Sequence, residues 1–313
     1  PGGPDAPPDP GVCGAQTEEI ALVNLGEPPD VLIVLDRSGS MDGQPTPDFG
    51  TFPDPFGPTK WEIMKDALTE LTNDKNDNIN FGLTLFPTVD SCGVSASALV
   101  DPTPQGAADV QSELANWEPD GGTPAAPGLD AALATYQGLP VNPEGRYVIF
   151  ATDGSPNCAS EGGDADDETV AAVEALAAEG IGTFVIGFGG GFAGTDSVLE
   201  DAAIAGGHPK PTGEPYYVAD DSQELIDALN DIAGGIITPS CSYELASAPP
   251  DPDNVTVLAN GTAVPRSEGH TNGWDYHPDA STITFFGSYC TDIESAAIQS
   301  VDFVFGCQGP QID

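Results

Sequence analysis

The chain is poor in positive charge: 7 Lys and Arg stand against 50 Asp and Glu among 313 residues, a formal net charge of −43. Nucleic acid and anionic membrane surfaces are polyanions, so a surface of this sign repels both and excludes them as partners. It attracts cations, and most of the acids simply keep the chain soluble and monomeric. Histidine is scarce: His208, His270 and His277 sit in no motif context. The six cysteines (Cys13, Cys92, Cys158, Cys241, Cys290, Cys307) contain no CxxC pair and have no histidine at metal-ligand spacing, which removes the usual zinc patterns. An even, dispersed set instead predicts three disulfides and an oxidising compartment, with connectivity open. No apolar run approaches the ~20 residues of a membrane-spanning helix. No signal peptide is visible, and a mature chain would have lost one.

What is present suffices for a core. Hydrophobic residues make up 39% of a chain long enough for one large or two unequal domains. The organising stretch is the apolar run 31–35, which reads as a strand buried on both faces, as in a parallel sheet covered by helices. It ends in Asp36, Ser38 and Ser40, with Gly39 permitting a tight turn. Open α/β sheets take their ligands outside the carboxyl ends of their strands, where this cluster falls. Carboxylate and hydroxyl oxygens without a thiol or imidazole suit a hard divalent cation rather than zinc or copper.

Along the chain, residues 1–11 are Pro, Gly, Asp, Ala only, a flexible tether. Residues 12–28 form an N-terminal strand extension that belongs to the main sheet or to another. Residues 42–58 are a long insertion at the mouth of the Asp36 loop, a candidate specificity loop. Thr59 and Glu62 have capping-box spacing and open a helix to about 73. Strands at 80–86, 146–153, 181–188 and 216–218 alternate with helices at 107–116, 125–137, 169–179, 196–204 and 222–232, and 94–100 is a short edge strand. This alternation predicts a doubly wound, mostly parallel sheet with helices on both faces. From about 239 to 313 the texture becomes β-rich, with Asn-Gly, Pro-Asp and Gly turns, predicting a small antiparallel module with no helix beyond a turn near 293–298.

Asp36-x-Ser38-x-Ser40 after a buried strand resembles the metal-ion-dependent adhesion site of von Willebrand factor type A (vWA) and integrin I domains. Two further elements stand in that family's order: Gly121-Gly122-Thr123-Pro124 before a helical pattern, and a second buried strand ending at Thr152-Asp153-Gly154. The resemblance covers residues 29–238. It implies that Ser38, Ser40 and Thr123 coordinate a cation through their hydroxyls, and that Asp36 and Asp153 act directly or through water. Mg²⁺ is the expected ion, with Ca²⁺ or Mn²⁺ as substitutes, and the expected partner is a protein or glycan presenting an acidic group. Arg37, at the first variable position, either points away and pairs with an acid or helps attract an anionic ligand. Cys92 and Cys158 follow strands that end on the implied metal face and are expected to bond. The family's neighbouring termini imply Cys13 with Cys241, and Cys290 then goes with Cys307; alternatively Cys13 staples the first strand into the β module.

These readings imply an extracellular binding protein, secreted or lipid-anchored in its precursor, rather than an enzyme. The alternative is a structural subunit of a surface filament or motility and adhesion assembly, with self-assembly as its interaction. Competing motifs are weaker. Residues 189–194 match G-x-G-x-x-G but sit too late in the sheet for a dinucleotide site. No G-x-S-x-G elbow surrounds Ser38, and no general base is evident. Asn254 and Asn260 head glycosylation sequons, whose residues also suit turns.

Overall fold

The computed structural model describes residues 16–20, 28–45, 57–189, 197–210, 212–237, 241–245, 249, 251–277, 282–294, 297–298 and 300–305. The expected tether, most of the insertion after Asp42, the glycine motif beyond Gly189, Cys13 and Cys307 lie outside these residues. The chain divides into two compact units, Pro28–Ile236 and a split one formed by Pro1–Glu27 with Ile237–Asp313.

The first of the described elements is β1 (Gln16–Ile20), which belongs to the split unit. The first unit then runs β2 (Asp30–Asp36), α1 (Lys60–Lys75), β3 (Asn80–Phe86), β4 (Val100–Thr103), α2 (Ala107–Leu114), α3 (Ala125–Gly138), β5 (Arg146–Thr152), α4 (Ala165–Ala178), β6 (Gly182–Phe188), α5 (Ser197–Ala205), β7 (Tyr217–Ala219) and α6 (Ser222–Ile236). Its six strands lie in the order β4-β3-β2-β5-β6-β7. All pairs are parallel except β3 with β4. This is the doubly wound sheet the alternation predicts.

The composition of β2 follows from its place. Being central, it is covered on both faces, and all seven of its residues are buried. Leu32 and Val34 join Leu129 of α3, Val173 of α4 and Leu199 of α5 in one apolar cluster. Val31, Ile33 and Leu35, on the alternate face, point to the opposite layer, where α1 packs on α2 and α6. Each such side chain contributes about 1.5–3 kcal/mol by leaving water.

Several boundaries differ from expectation, among them the end of α6, at Ile236 rather than 232. The edge strand lies at Val100–Thr103, after the segment 94–100 that the sequence suggests. Helix α4 begins at Ala165 rather than 169, because the Asp164 side chain accepts the N–H groups of Asp166 (3.0 Å) and Asp167 (3.4 Å). An acidic N-cap followed by acids in the first turn suits the positive end of the helix dipole.

In the split unit come β8 (Ser242–Glu244), β9 (Val255–Ala259), β10 (Thr262–Val264), β11 (Gly273–His277), β12 (Thr282–Phe286), α7 (Ser288–Glu294) and β13 (Val301–Phe305). They form two antiparallel sheets, β1-β13-β9-β10 and β11-β12-β8. Tyr243, Val257, Trp274, Phe285 and Phe303 bring both sheets into one core. The N-terminal strand therefore hydrogen-bonds the C-terminal one, Gln16 facing Phe305 and Ile20 facing Val301. Asn260 and Gly261, both at positive φ (47° and 74°), turn β9 into β10. Helix α7 is a correction: at seven residues it is too short to show a period, with Ile293 fully buried as its inward anchor.

The expected cysteine pairing is also corrected. Cys241 bonds Cys290, with Cα atoms 5.1 Å apart, so it is not the partner of Cys13, nor Cys290 of Cys307. The sheet explains why. Ser242 pairs with Thr284, and the Phe285 N–H donates to the Cys241 carbonyl at 2.7 Å, so Cys241 runs alongside the strand that leads into α7. In the first unit Cys92 bonds Cys158, with Cα atoms 5.7 Å apart.

Candidate metal centre

In the first unit the chain runs from β2 outward to β3, then returns to place β5 on the other side of β2. The carboxyl ends of β2 and β5 therefore flank the point where strand order reverses, which leaves a crevice. Asp36 ends β2 and Asp153 directly follows β5, so the two acids meet there.

The loop after β2 is folded by its own short polar side chains. Asp36 Oδ1 accepts the Ser38 N–H at 2.7 Å, an Asx-type turn that starts the short 3₁₀ turn Gly39–Asp42. Ser38 Oγ and Ser40 Oγ lie 2.9 Å apart, and Ser40 Oγ donates to Asp153 Oδ1 at 2.7 Å. Thr152 Oγ1 donates to Asp36 Oδ2 at 2.6 Å. Ser38, Ser40 and Asp153 thus form one connected run of oxygens, to which Asp36 is joined through the Ser38 N–H and Thr152 through Asp36. Asp36 is fully buried, Ser38, Thr123 and Asp153 are buried, and Ser40 is exposed at the mouth.

The fifth, Thr123, arrives on its own loop. The Gly39 N–H donates to the Gly121 carbonyl at 3.1 Å, tying that loop to the Ser38 turn. Asn157 then holds Thr123: its Oδ1 accepts the Thr123 N–H at 2.8 Å and its Nδ2 donates to Thr123 Oγ1 at 3.3 Å. Cys158, bonded to Cys92, follows Asn157, and the Gly122 N–H donates to the Ser91 carbonyl at 2.7 Å. Three loops therefore meet around Thr123.

The electrostatics of the crevice centre on its two acids. Burial, then the neighbouring Asp153 charge, pushes the Asp36 carboxyl up to about 7, against the lowering hydrogen bonds from Thr152 and Ser38. Two carboxylates held this close disfavour joint ionisation unless positive charge comes between or beside them. One source is already in place: Lys60, the first residue of α1, donates its ammonium to Asp153 Oδ2. Neither Lys60, Thr152 nor Asn157 was selected from the sequence. Only the capping-box spacing at Thr59–Glu62 hinted that α1 starts here, and that box forms: Glu62 Oε2 accepts the Thr59 N–H at 2.8 Å.

Arg37 turns away from the crevice. Its guanidinium donates to the carbonyls of Pro87 and Glu118 and lies over the Trp117 ring, 4.6 Å from the centroid. Its hydrogen-bond partners are carbonyls, and the expected acid acts through charge: burial lowers the Arg37 pKa, while neighbouring Asp120 opposes that shift.

The donor set fits a hard divalent ion. Five oxygens from Asp36, Ser38, Ser40, Thr123 and Asp153 would hold it, with no nitrogen or sulfur donor to favour a softer metal. When bound, such an ion supplies a Lewis-acidic centre for an external oxygen ligand. Among the described residues no group of three or more His, Cys, Asp or Glu side chains clusters in a way that suits a metal.

Comparison with known proteins bears on the fold that carries this crevice. The family model for the von Willebrand factor type A domain matches residues 31–155. Among solved structures, the pilus adhesin SpaC from Lactobacillus rhamnosus GG is 14% identical with a TM-score of 0.53, over 93% of this chain and 40% of that one. The PilB minor pilin from Streptococcus sanguinis is 18% identical with a TM-score of 0.50, over 68% of this chain and 62% of that one. The chain therefore spans about two fifths of the adhesin's length and three fifths of the minor pilin's. At these identities the likeness is one of fold. No curated protein matches the chain.

Proposed function

We infer a function from the premise that this chain carries a von Willebrand factor type A domain: it is an extracellular, metal-dependent adhesion protein. Its Asp36, Ser38, Ser40, Thr123 and Asp153 hold a divalent cation, Mg²⁺ first and Ca²⁺ or Mn²⁺ in its place. The partner is a protein or glycan that offers a carboxylate to that ion. The observation that carries this reading is the hydrogen-bonded run Ser38–Ser40–Asp153 beside a fully buried Asp36. The role in this reading is binding rather than catalysis. A secreted or surface-held location, with or without a lipid anchor, suits the disulfides.

Calorimetric titration of Mg²⁺ or Ca²⁺ into wild type and Asp36→Ala tests it. Wild type should give a saturable heat that the variant lacks; equal heats would defeat the cation reading.

A second reading follows from the neighbours being a pilus adhesin and a minor pilin: the chain is a structural subunit of a surface filament. Sedimentation with and without EDTA separates the two. Metal-independent polymers favour assembly, and a monomer whose partner capture needs the ion favours adhesion.

A further inference from the structure

The oxygen that a shared cation needs is already engaged by a cation of the chain itself. Asp153 offers two oxygens: Oδ1 accepts from Ser40 at 2.7 Å, and Oδ2 accepts from the Lys60 ammonium. Lys60 is almost wholly buried, its side chain 11% exposed and that of Asp153 0%. Nothing in the family's ordered motif asks for a lysine here, and two features show that its position is built in.

First, the backbone at the root of Lys60 is fixed. Its N–H donates to the Gly43 carbonyl at 2.8 Å, and Thr59 caps the same helix turn. Second, its aliphatic stem runs over Gly189, which leaves room for it: a Cβ there would lie 2.3 Å from Lys60 Cδ. Electrostatics of the helix oppose the arrangement, since a cation at a helix N-terminus faces the positive end of the dipole. The Asp153 carboxylate, and Asp36 behind it, are the charges that compensate.

We propose that Lys60 is a tethered competitor for the divalent ion: its ammonium and the metal share the Asp153 carboxylate, and Lys60 sets how tightly the crevice binds. The inference rests on the cation reading above and adds the residue that tunes it. With Lys60 in place the two carboxylates meet one fixed positive charge, so an incoming dication meets repulsion and must displace the ammonium or share its partner. Without Lys60 the same carboxylates offer their full attraction.

Mn²⁺ is the probe. Its affinity is measured by calorimetry, with electron paramagnetic resonance as a check, for wild type, Lys60→Met and Asp153→Asn. Lys60→Met keeps the unbranched stem, and should bind Mn²⁺ about tenfold tighter or more. It should also lose more thermal stability in EDTA than wild type and regain it with Mn²⁺. Asp153→Asn should bind weakly whether or not Lys60 is present. Unchanged or weaker Mn²⁺ affinity in a folded Lys60→Met protein would overturn the inference while leaving the cation reading intact. No Mn²⁺ binding by wild type or Lys60→Met would overturn both. A second measurement needs no variant: labelling of wild type by a water-soluble acylating reagent, read by mass spectrometry, with Lys65, Lys75 and Lys210 as internal references. Saturating Mn²⁺ should raise Lys60 labelling several-fold relative to those three, and constant Lys60 labelling on saturation would overturn the competition.

Discussion

The side-chain oxygen of Asn157 accepts the backbone N–H of Thr123 at 2.8 Å, and its amide reaches back to the Thr123 hydroxyl at 3.3 Å. Asn157 thus holds both ends of a residue that the crevice needs, and the adjoining Cys158–Cys92 bond fixes Asn157 in turn. Outer partners of this kind set the angle at which an inner oxygen points.

Asn157→Ala should therefore weaken Mg²⁺ or Mn²⁺ binding by about 10- to 100-fold. The fold should persist, since Asn157 is exposed and outside the core. Calorimetry gives the affinity and circular dichroism the fold. Affinity equal to wild type would show that Thr123 needs no such support.

Two glycines at the mouth should behave oppositely. A Cβ on Gly122 would come within 2.8 Å of Asn157 Oδ1 and 2.9 Å of Cys158 Sγ, in the middle of the clamp on Thr123. Gly122→Ala should displace that loop and lower cation affinity about tenfold or more. At Gly39 the nearest atom to an added Cβ is the Gly121 oxygen at 3.5 Å, an ordinary contact, and Gly39 does not take a positive φ. Gly39→Ala should change affinity by no more than about twofold. The same titration measures both.

Asp275 predicts a pH dependence in the split unit. Burial alone would raise its carboxyl, but the Tyr276 N–H (2.8 Å), Arg266 Nε (3.0 Å) and His270 Nε2 (3.0 Å) outweigh that and hold it below the usual carboxylate range. An acid whose pKa is lower folded than unfolded adds stability above its unfolded value, and that stability fades as pH falls through the folded one. Asp275→Asn should cost about 1–2 kcal/mol at pH 7, and the difference from wild type should shrink toward zero in strong acid. Denaturant midpoints followed by fluorescence of Trp274, which the Arg266 guanidinium overlies at 5.5 Å, measure it across pH. A pH-independent difference would show that lost packing, not charge, is responsible.

Much of the first unit was legible in the chain. An apolar run of strand length, without alternation and closed by a polar turn, reads as a strand covered on both faces, so β2 announced a helix-sandwiched sheet, and the burst of oxygens at its end marked the ligand side. The capping box at Thr59–Glu62 marked the start of α1 for local reasons that the fold left untouched. What could not be read were contacts made across the fold. Lys60 looks like any first-turn residue of a helix, and only the placement of α1 beside the reversal of strand order brings its ammonium to Asp153. Thr152 and Asn157 are ordinary strand-end and loop residues until the loops converge. Cysteine spacing carries no connectivity, and the expectation for Cys241 rested on where a family's termini lie. The local pairing of β8 with β12 decided otherwise.

The ladder between β1 and β13 bears on how this molecule would carry mechanical load. The α/β unit is spliced into the chain between β1 and β8, so tension entering at Gln16 and leaving at Phe305 passes through that five-residue pairing. Because the strands are antiparallel and the pulled residues face each other, rungs open one after another from that end, as in a zipper, rather than shearing together. While the zipper holds, the unit spliced between β1 and β8 is left out of that line of force.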